Sequence, residues 1–294
     1  MRSFFLAPLS VLIALVPLFG QSSLQHQATV AYLQACQQPD GGFLPAKLSG
    51  TANAQARSSL RATTAALRAL KYFGGEAHDR TACSRFVQRC FDKASGGFGD
   101  YPGAPPDVVS TAVGIMALVE LKLPVENYRE ATVRYLAERV RSFEDIRIAA
   151  AALEAIGARP PVANAWLEEI GKLRHANGTY GTGTEFARAT GGAVVAVLRL
   201  GGTVEHRETV LQALKVGQHA DGGYGKQDAK SSDLESCYRV MRAFAMLKDK
   251  PDSQGMRSFV VRCRNMDGGY GVTPGEPSSV GATYYASIIL HWLQ

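Results

Sequence analysis

A short segment recurs along the chain. It reads "ACQQPDGGF" at 35–43, "CFDKASGGFGDY" at 90–101, "RHANGTYGTG" at 174–183, "GQHADGGYGKQ" at 217–227 and "CRNMDGGYGV" at 263–272. The glycine turns at 178, 223 and 269 follow one another at 45 and 46 residues, and those at 42 and 97 at 55. A period of this size marks a repeat architecture, in which one supersecondary unit buries its apolar face only against its neighbours. The turn chemistry is legible: Asp or Asn before glycine ends a helix, glycine supplies the positive φ, and the aromatic packs back onto the unit.

Each turn is followed by a helical run with few charges on any face. These runs are 56–73, 107–121, 143–157, 186–200, 233–247 and 279–293. Helices apolar nearly all round are buried helices. Between them lie amphipathic segments at 25–37, 77–91, 126–141, 162–175, 204–218 and 252–264. The third unit lacks a glycine turn and passes almost directly from outer to inner helix. The pattern predicts an all-α fold, an α/α toroid of six helical hairpins with an inner apolar and an outer amphipathic ring. An open solenoid is the alternative. The last run ends Ile288-Ile289-Leu290-His291-Trp292-Leu293, still apolar, where a solenoid needs a polar cap, so closure is expected.

The 294 residues carry a formal net charge of +6, with Lys and Arg scattered and no basic stripe interleaved with aromatics, which argues against nucleic acid as a partner. Met1-Arg2-Ser3 followed by the apolar run 4–19 reads as a secretory signal peptide over 1–20, leaving a toroid domain over 21–294. Cleavage predicts an exported protein, periplasmic or extracellular, with no membrane span. Left uncleaved, the same segment is an N-terminal membrane anchor. Cys36, Cys83, Cys90, Cys237 and Cys263 are odd in number and form no CxxC, so small buried hydrophobes are expected, with no assigned disulfide.

Four segments carry a resemblance: "EDIRIAAAAL" (144–153), "ATGGAVVAVLRL" (189–200), "ESCYRVMRAF" (235–244) and "ATYYASIIL" (282–290). Over about residues 24–294 the chain resembles the prenyltransferase and squalene-cyclase repeat superfamily, most closely the β subunits of protein prenyltransferases. The resemblance implies a catalytic zinc held by an Asp, a Cys and a His. Those positions are Glu235, Cys237 and Ala282 here, so a third ligand is missing. His291 lies nine residues past Ala282, about 13 Å along a helix, and is no simple substitute. The family's diphosphate-binding His is Thr190, and its basic pair has no clean equivalent beyond Lys226 and Lys230 in the preceding loop. Asp145, Arg147 and Tyr238 retain their family positions. Zinc chemistry needs three protein ligands and an open position, so neither a working zinc site nor another cofactor is expected. The cyclases' Asp-rich motif and the Cys-Gly-Glu-Gln segment of the complement thioester domain are absent. The resemblance also implies a partner subunit.

Other candidates come from the residues themselves. Acids recur at the starts of the inner helices: Asp107, Glu144, Asp145, Glu185, Asp233 and Glu235. They are read as helix caps, or as a carboxylate pair able to cleave a glycan. Arg57 and Arg61, as i and i+4 on the first inner helix, form with Arg147 a basic lining, or else pair with those acids, Asp145 with Arg147 first. Cys237, Tyr238, Met241 and Ala245 share one helical stripe, and Tyr284 and Tyr285 line the cavity or pack. Three functions follow: a binding or scaffold module with an apolar or peptidic ligand, a terpenoid or prenyl-transfer enzyme with altered residues, and a glycan-active toroid.

Overall fold

Inner helices begin where a short polar side chain can accept a backbone N–H. In the computed structural model, which describes residues 18–48, 56–183, 186–226 and 231–294, Ser59, Asp107, Ser142, Asp233 and Ser279 serve in this way. The inner helices are α2 (Leu60–Phe73), α4 (Val108–Glu120), α6 (Phe143–Ala155), α8 (Phe186–Arg199), α10 (Leu234–Leu247) and α12 (Val280–Trp292). The outer helices are α1 (Leu18–Gln34), α3 (Arg80–Arg89), α5 (Glu126–Arg139), α7 (Ala163–Lys172), α9 (Arg207–Val216) and α11 (Ser253–Arg262). Among the described residues, strand-type pairing is confined to isolated bridges such as Phe43 with Ser59.

The ring closes as the apolar C-terminal run requires. Each inner helix packs on the next, and α12 packs on α2. Backbone and side-chain bonds tie the chain ends together. Val280 N–H donates to Pro45 O at 2.8 Å, and Thr29 Oγ1 to Gly268 O at 2.7 Å. At α8 the approach to α10 is close enough that a Cβ on Gly191 would lie 3.1 Å from Val240 Cα. The signal-peptide assignment falls mostly on residues 1–17, outside the described residues. Among the described residues no helix is long and apolar enough to cross a membrane.

The glycine turns follow the helices rather than cap them. Asp221 Oδ1 accepts from Gly223 N–H at 3.0 Å, several residues past the end of α9. Gly222 takes φ of 90°, and a Cβ there would meet Gly255 O at 2.2 Å. The buried aromatic of the turn is then fixed to the inner helix. Phe43, Phe98, Tyr180 and Tyr270 donate their backbone N–H to the hydroxyls of Thr63, Thr111, Thr190 and Thr283 at 2.9–3.1 Å. In the turn of the fifth unit Tyr224 N–H donates instead to Cys237 Sγ at 3.2 Å. The Ser232–His219 contact, 3.2 Å, is part of the same turn framework: Ser278 and Asn265 reproduce it at 2.9 Å.

A buried N–H left without an acceptor costs about 1–3 kcal/mol. Thr63→Val keeps the shape and removes the acceptor, so urea unfolding is expected to show a loss of about that size. A stability equal to wild type would mean that the turn bonds do not hold the ring.

Candidate functional site

A cavity of about 650 Å³ runs along the ring axis. Its wall is apolar on one side, with Ala62, Ala65, Val109, Val113, Ile148 and Ala151 from α2, α4 and α6. On the other side α10 and α12 supply Glu235, Tyr238, Arg239, Arg242, Tyr284 and Tyr285. The spacing of Glu235, Tyr238 and Arg242, three and four residues apart, puts one face of α10 on the axis. Cys237 and Met241 leave that face: both are buried in the core shared with the outer helices. The expected stripe therefore divides, with Tyr238 inward and Cys237 outward.

At the N-terminal ends of the inner helices an ion network spans the mouth. Arg239, only 9% exposed, binds both oxygens of Glu144 (2.7 and 3.0 Å) and reaches Glu235 Oε1 at 2.8 Å. Arg188 donates to the same Glu235 oxygen at 3.0 Å, and Lys226 lies 3.7 Å from the other. Partial burial works against ionisation of Glu144, but Arg239 and Arg147 outweigh it and bring its carboxyl down to about 2. Glu235 is lowered too, its burial likewise overcome by Arg239 and Arg188. Both are fixed as carboxylates, and neither holds a proton for general acid catalysis near neutral pH.

The remaining expectations are partly corrected. Arg57 precedes α2 instead of lying one turn before Arg61 on it, because Ser59 caps the helix. Its guanidinium stacks on Tyr101 at 4.2 Å, away from the cavity. Arg61 stands at the mouth, paired with Asp107 at 3.0 Å. Arg147 pairs with Glu144 at 3.0 Å, not with Asp145, whose carboxylate closes the capping box with Ser142. Asp107 and Asp233 are caps, as read. Glu185 and Lys230 lie outside the described residues. Tyr284 and Tyr285 line the cavity.

The family's zinc does not fit these residues. Cys237 is fully buried with its sulfur against the Tyr224 backbone, and burial pushes its thiol well above the ordinary range. Glu235 points into the cavity and is held by cations, and Ala282 offers no donor atom. Among the described residues no three His, Cys, Asp or Glu side chains come together as a ligand set.

Toward the C-terminal ends of the inner helices lies a group that sequence reasoning missed. Arg68, Arg199 and Arg242 line the cavity around Tyr238. Arg242 Nη2 and Tyr284 O–H both approach the Tyr238 oxygen at 3.4 Å. Burial opposes ionisation of this phenol, but Arg242, Arg68 and Arg199 outweigh it and hold it below the ordinary tyrosine range. Tyr284 is pushed the other way, by burial first and then by the charge on Tyr238. The available signal was spacing: Arg61 and Arg68, or Glu235 and Arg242, stand seven residues apart on one face.

An axial cavity ringed by six inner and six outer helices defines the class, an α/α toroid. The prenyltransferase alpha-alpha toroid domain profile matches residues 63–144 and 147–294, and the chain belongs to that family. Over 127 residues it is 27% identical to the protein farnesyltransferase subunit beta of Arabidopsis thaliana, a match spanning 40% of this chain and 26% of that protein. Protein geranylgeranyltransferase-I of Candida albicans superposes with a TM-score of 0.69 at 12% identity, covering 91% of this chain and 90% of its own. A type II terpene cyclase from Scytonema gives 0.64 at 11% identity, covering 94% and 99%. At these identities the structural likeness establishes the fold alone.

The Glu144 network makes a pH prediction. Its folded pKa lies below the ordinary 4.5, so its contribution to stability is present above that pH and is lost as pH falls toward about 2. Glu144→Gln should be less stable than wild type at neutral pH, with the two unfolding curves converging in acid. Urea midpoints measured across the pH range test this, and a constant offset at every pH contradicts it.

Proposed function

We propose that this is an exported ligand-binding toroid, in which the cavity that its relatives use for prenyl transfer receives an apolar or peptidic ligand without a catalytic zinc. The observation that carries the reading is the cavity itself, about 650 Å³ and not filled by side chains. That volume falls within the range of about 300–1,000 Å³ usual for small-molecule sites. Its two-faced wall suits a molecule with an apolar body and a polar end. Fixed carboxylates at the mouth speak against the glycan-cleaving alternative, which needs one protonated acid. Export rests on the apolar run 4–19 of the sequence.

The test is the binding of Nile red, an uncharged apolar dye, to the purified protein. One dye per chain is expected in wild type and none in Ala65→Trp or Ala151→Trp, which fill the axis. Intact mass from the exporting host is expected to show a chain starting near Gln21. Dye binding that ignores both tryptophans would overturn the reading.

A further inference from the structure

We infer that the C-terminal half of the cavity is a receptor for the carboxylate head of an amphiphile, built from Arg68, Arg199 and Arg242 around Tyr238. The inference rests on the cavity-binding reading above and adds the chemistry and orientation of the ligand.

The charge balance points to it. Three guanidiniums from α2, α8 and α10 converge there, and two carboxylates answer them. Glu120 lies 3.5 Å from Arg68 and is shared with the exposed Lys71 at 3.2 Å, and Glu154 holds Arg199 at 2.9 Å. Among the described residues no carboxylate pairs with Arg242. Its guanidinium lies 4.6 Å over the Trp292 ring and 5.6 Å from the Tyr238 ring. The Nε atoms of Arg68 and Arg242 are buried and lack a hydrogen-bond acceptor. A guanidinium removed from water needs an anion or a full set of acceptors; Arg68 has Glu120 at 3.5 Å, and Arg242 has no carboxylate.

The excess of one positive charge among the three guanidiniums fits a monoanion. A carboxylate also matches the planar fork of arginine, whereas a diphosphate would bring more charge than they can offset. At the mouth the carboxylates of Glu144 and Glu235 already occupy the inward faces of Arg147, Arg188 and Arg239, whereas Arg242 has no carboxylate partner among the described residues. With the head seated at this end, an alkyl body would run back toward the mouth along Ala65, Val113, Ile148 and Ala151.

The Tyr238 hydroxyl lies among these guanidiniums, with Arg242 Nη2 at 3.4 Å. Tyr238 is faced by Glu235, Arg239 and Arg242 of its own helix, by Arg68 from α2, by Arg199 from α8, and by Tyr284, Tyr285 and Trp292 from α12. The arginines favour its phenolate.

The experiment displaces Nile red with dodecanoate, dodecanol and dodecyl phosphate. Dodecanoate should bind about tenfold tighter than dodecanol or better, as charge-assisted hydrogen bonds imply. Arg242→Gln should bring dodecanoate down to the affinity of dodecanol and leave dodecanol unchanged. Equal affinity for acid and alcohol in wild type, with the dye still displaced, overturns this inference while the cavity reading stands. Failure of both compounds to displace the dye removes the cavity reading itself, and displacement by dodecanol alone overturns the carboxylate inference. Dodecyl phosphate binding more tightly than dodecanoate overturns the assignment to a carboxylate. The wild-type comparison decides the matter even if Arg242→Gln does not fold.

Discussion

The hydrogen bond from the backbone N–H of each turn aromatic to a side chain one turn into the inner helix holds this ring together. It joins the loop of one hairpin to the wall of the cavity and leaves no buried N–H unpaired. Thr63, Thr111, Thr190 and Thr283 accept it through oxygen, and Cys237 accepts it through sulfur. Two positions that the family uses for chemistry, Thr190 and Cys237, are thereby committed to the scaffold. The third unit has no such turn. Val140 leads almost directly to Ser142, and a capping box with Asp145 fixes the junction.

With the scaffold fixed, the faces that point inward decide the character of the cavity. Helices α2, α4 and α6 supply the small aliphatic stretch of the wall together with charged side chains such as Arg68 and Glu144, while α10 presents Glu235, Tyr238, Arg239 and Arg242 and α12 presents Tyr284 and Tyr285. Arg239 spans from α10 to Glu144 on α6, two inner helices away, and braces the mouth. Buried ion pairs gain little net stability, but removing one partner exposes the full desolvation cost of the other. At the mouth Arg147, Arg188, Lys226 and Arg239 each contact a carboxylate, whereas deeper in the cavity Arg242 pairs with none among the described residues.

The repeat and the alternation of apolar and amphipathic segments made the fold legible in the sequence. Turn spacing gave the hairpins, and the apolar last helix gave closure, because an exposed end would have needed polar residues. The site was harder to see. Arg68, Arg199, Arg239 and Arg242 look in sequence like ordinary surface charges on helices, and only the ring geometry turns them to the axis. The stripe that grouped Cys237 with Tyr238 failed because adjacent residues on a helix lie about 100° apart, so one faced the axis and the other the outer ring. Pairing of Arg147 with Asp145 failed because the aspartate's place at the third helical position suited the cap better than the cavity.

Cys237 is buried, accepts the Tyr224 N–H and so belongs to the turn-holding set, which leaves it unavailable as a metal ligand. Zinc bound per chain, measured after equilibration with the metal and removal of excess, tests it in wild type and Cys237→Thr side by side. Well below one equivalent is expected in both, with the variant still folded. One full equivalent in wild type, lost in Cys237→Thr, would contradict it.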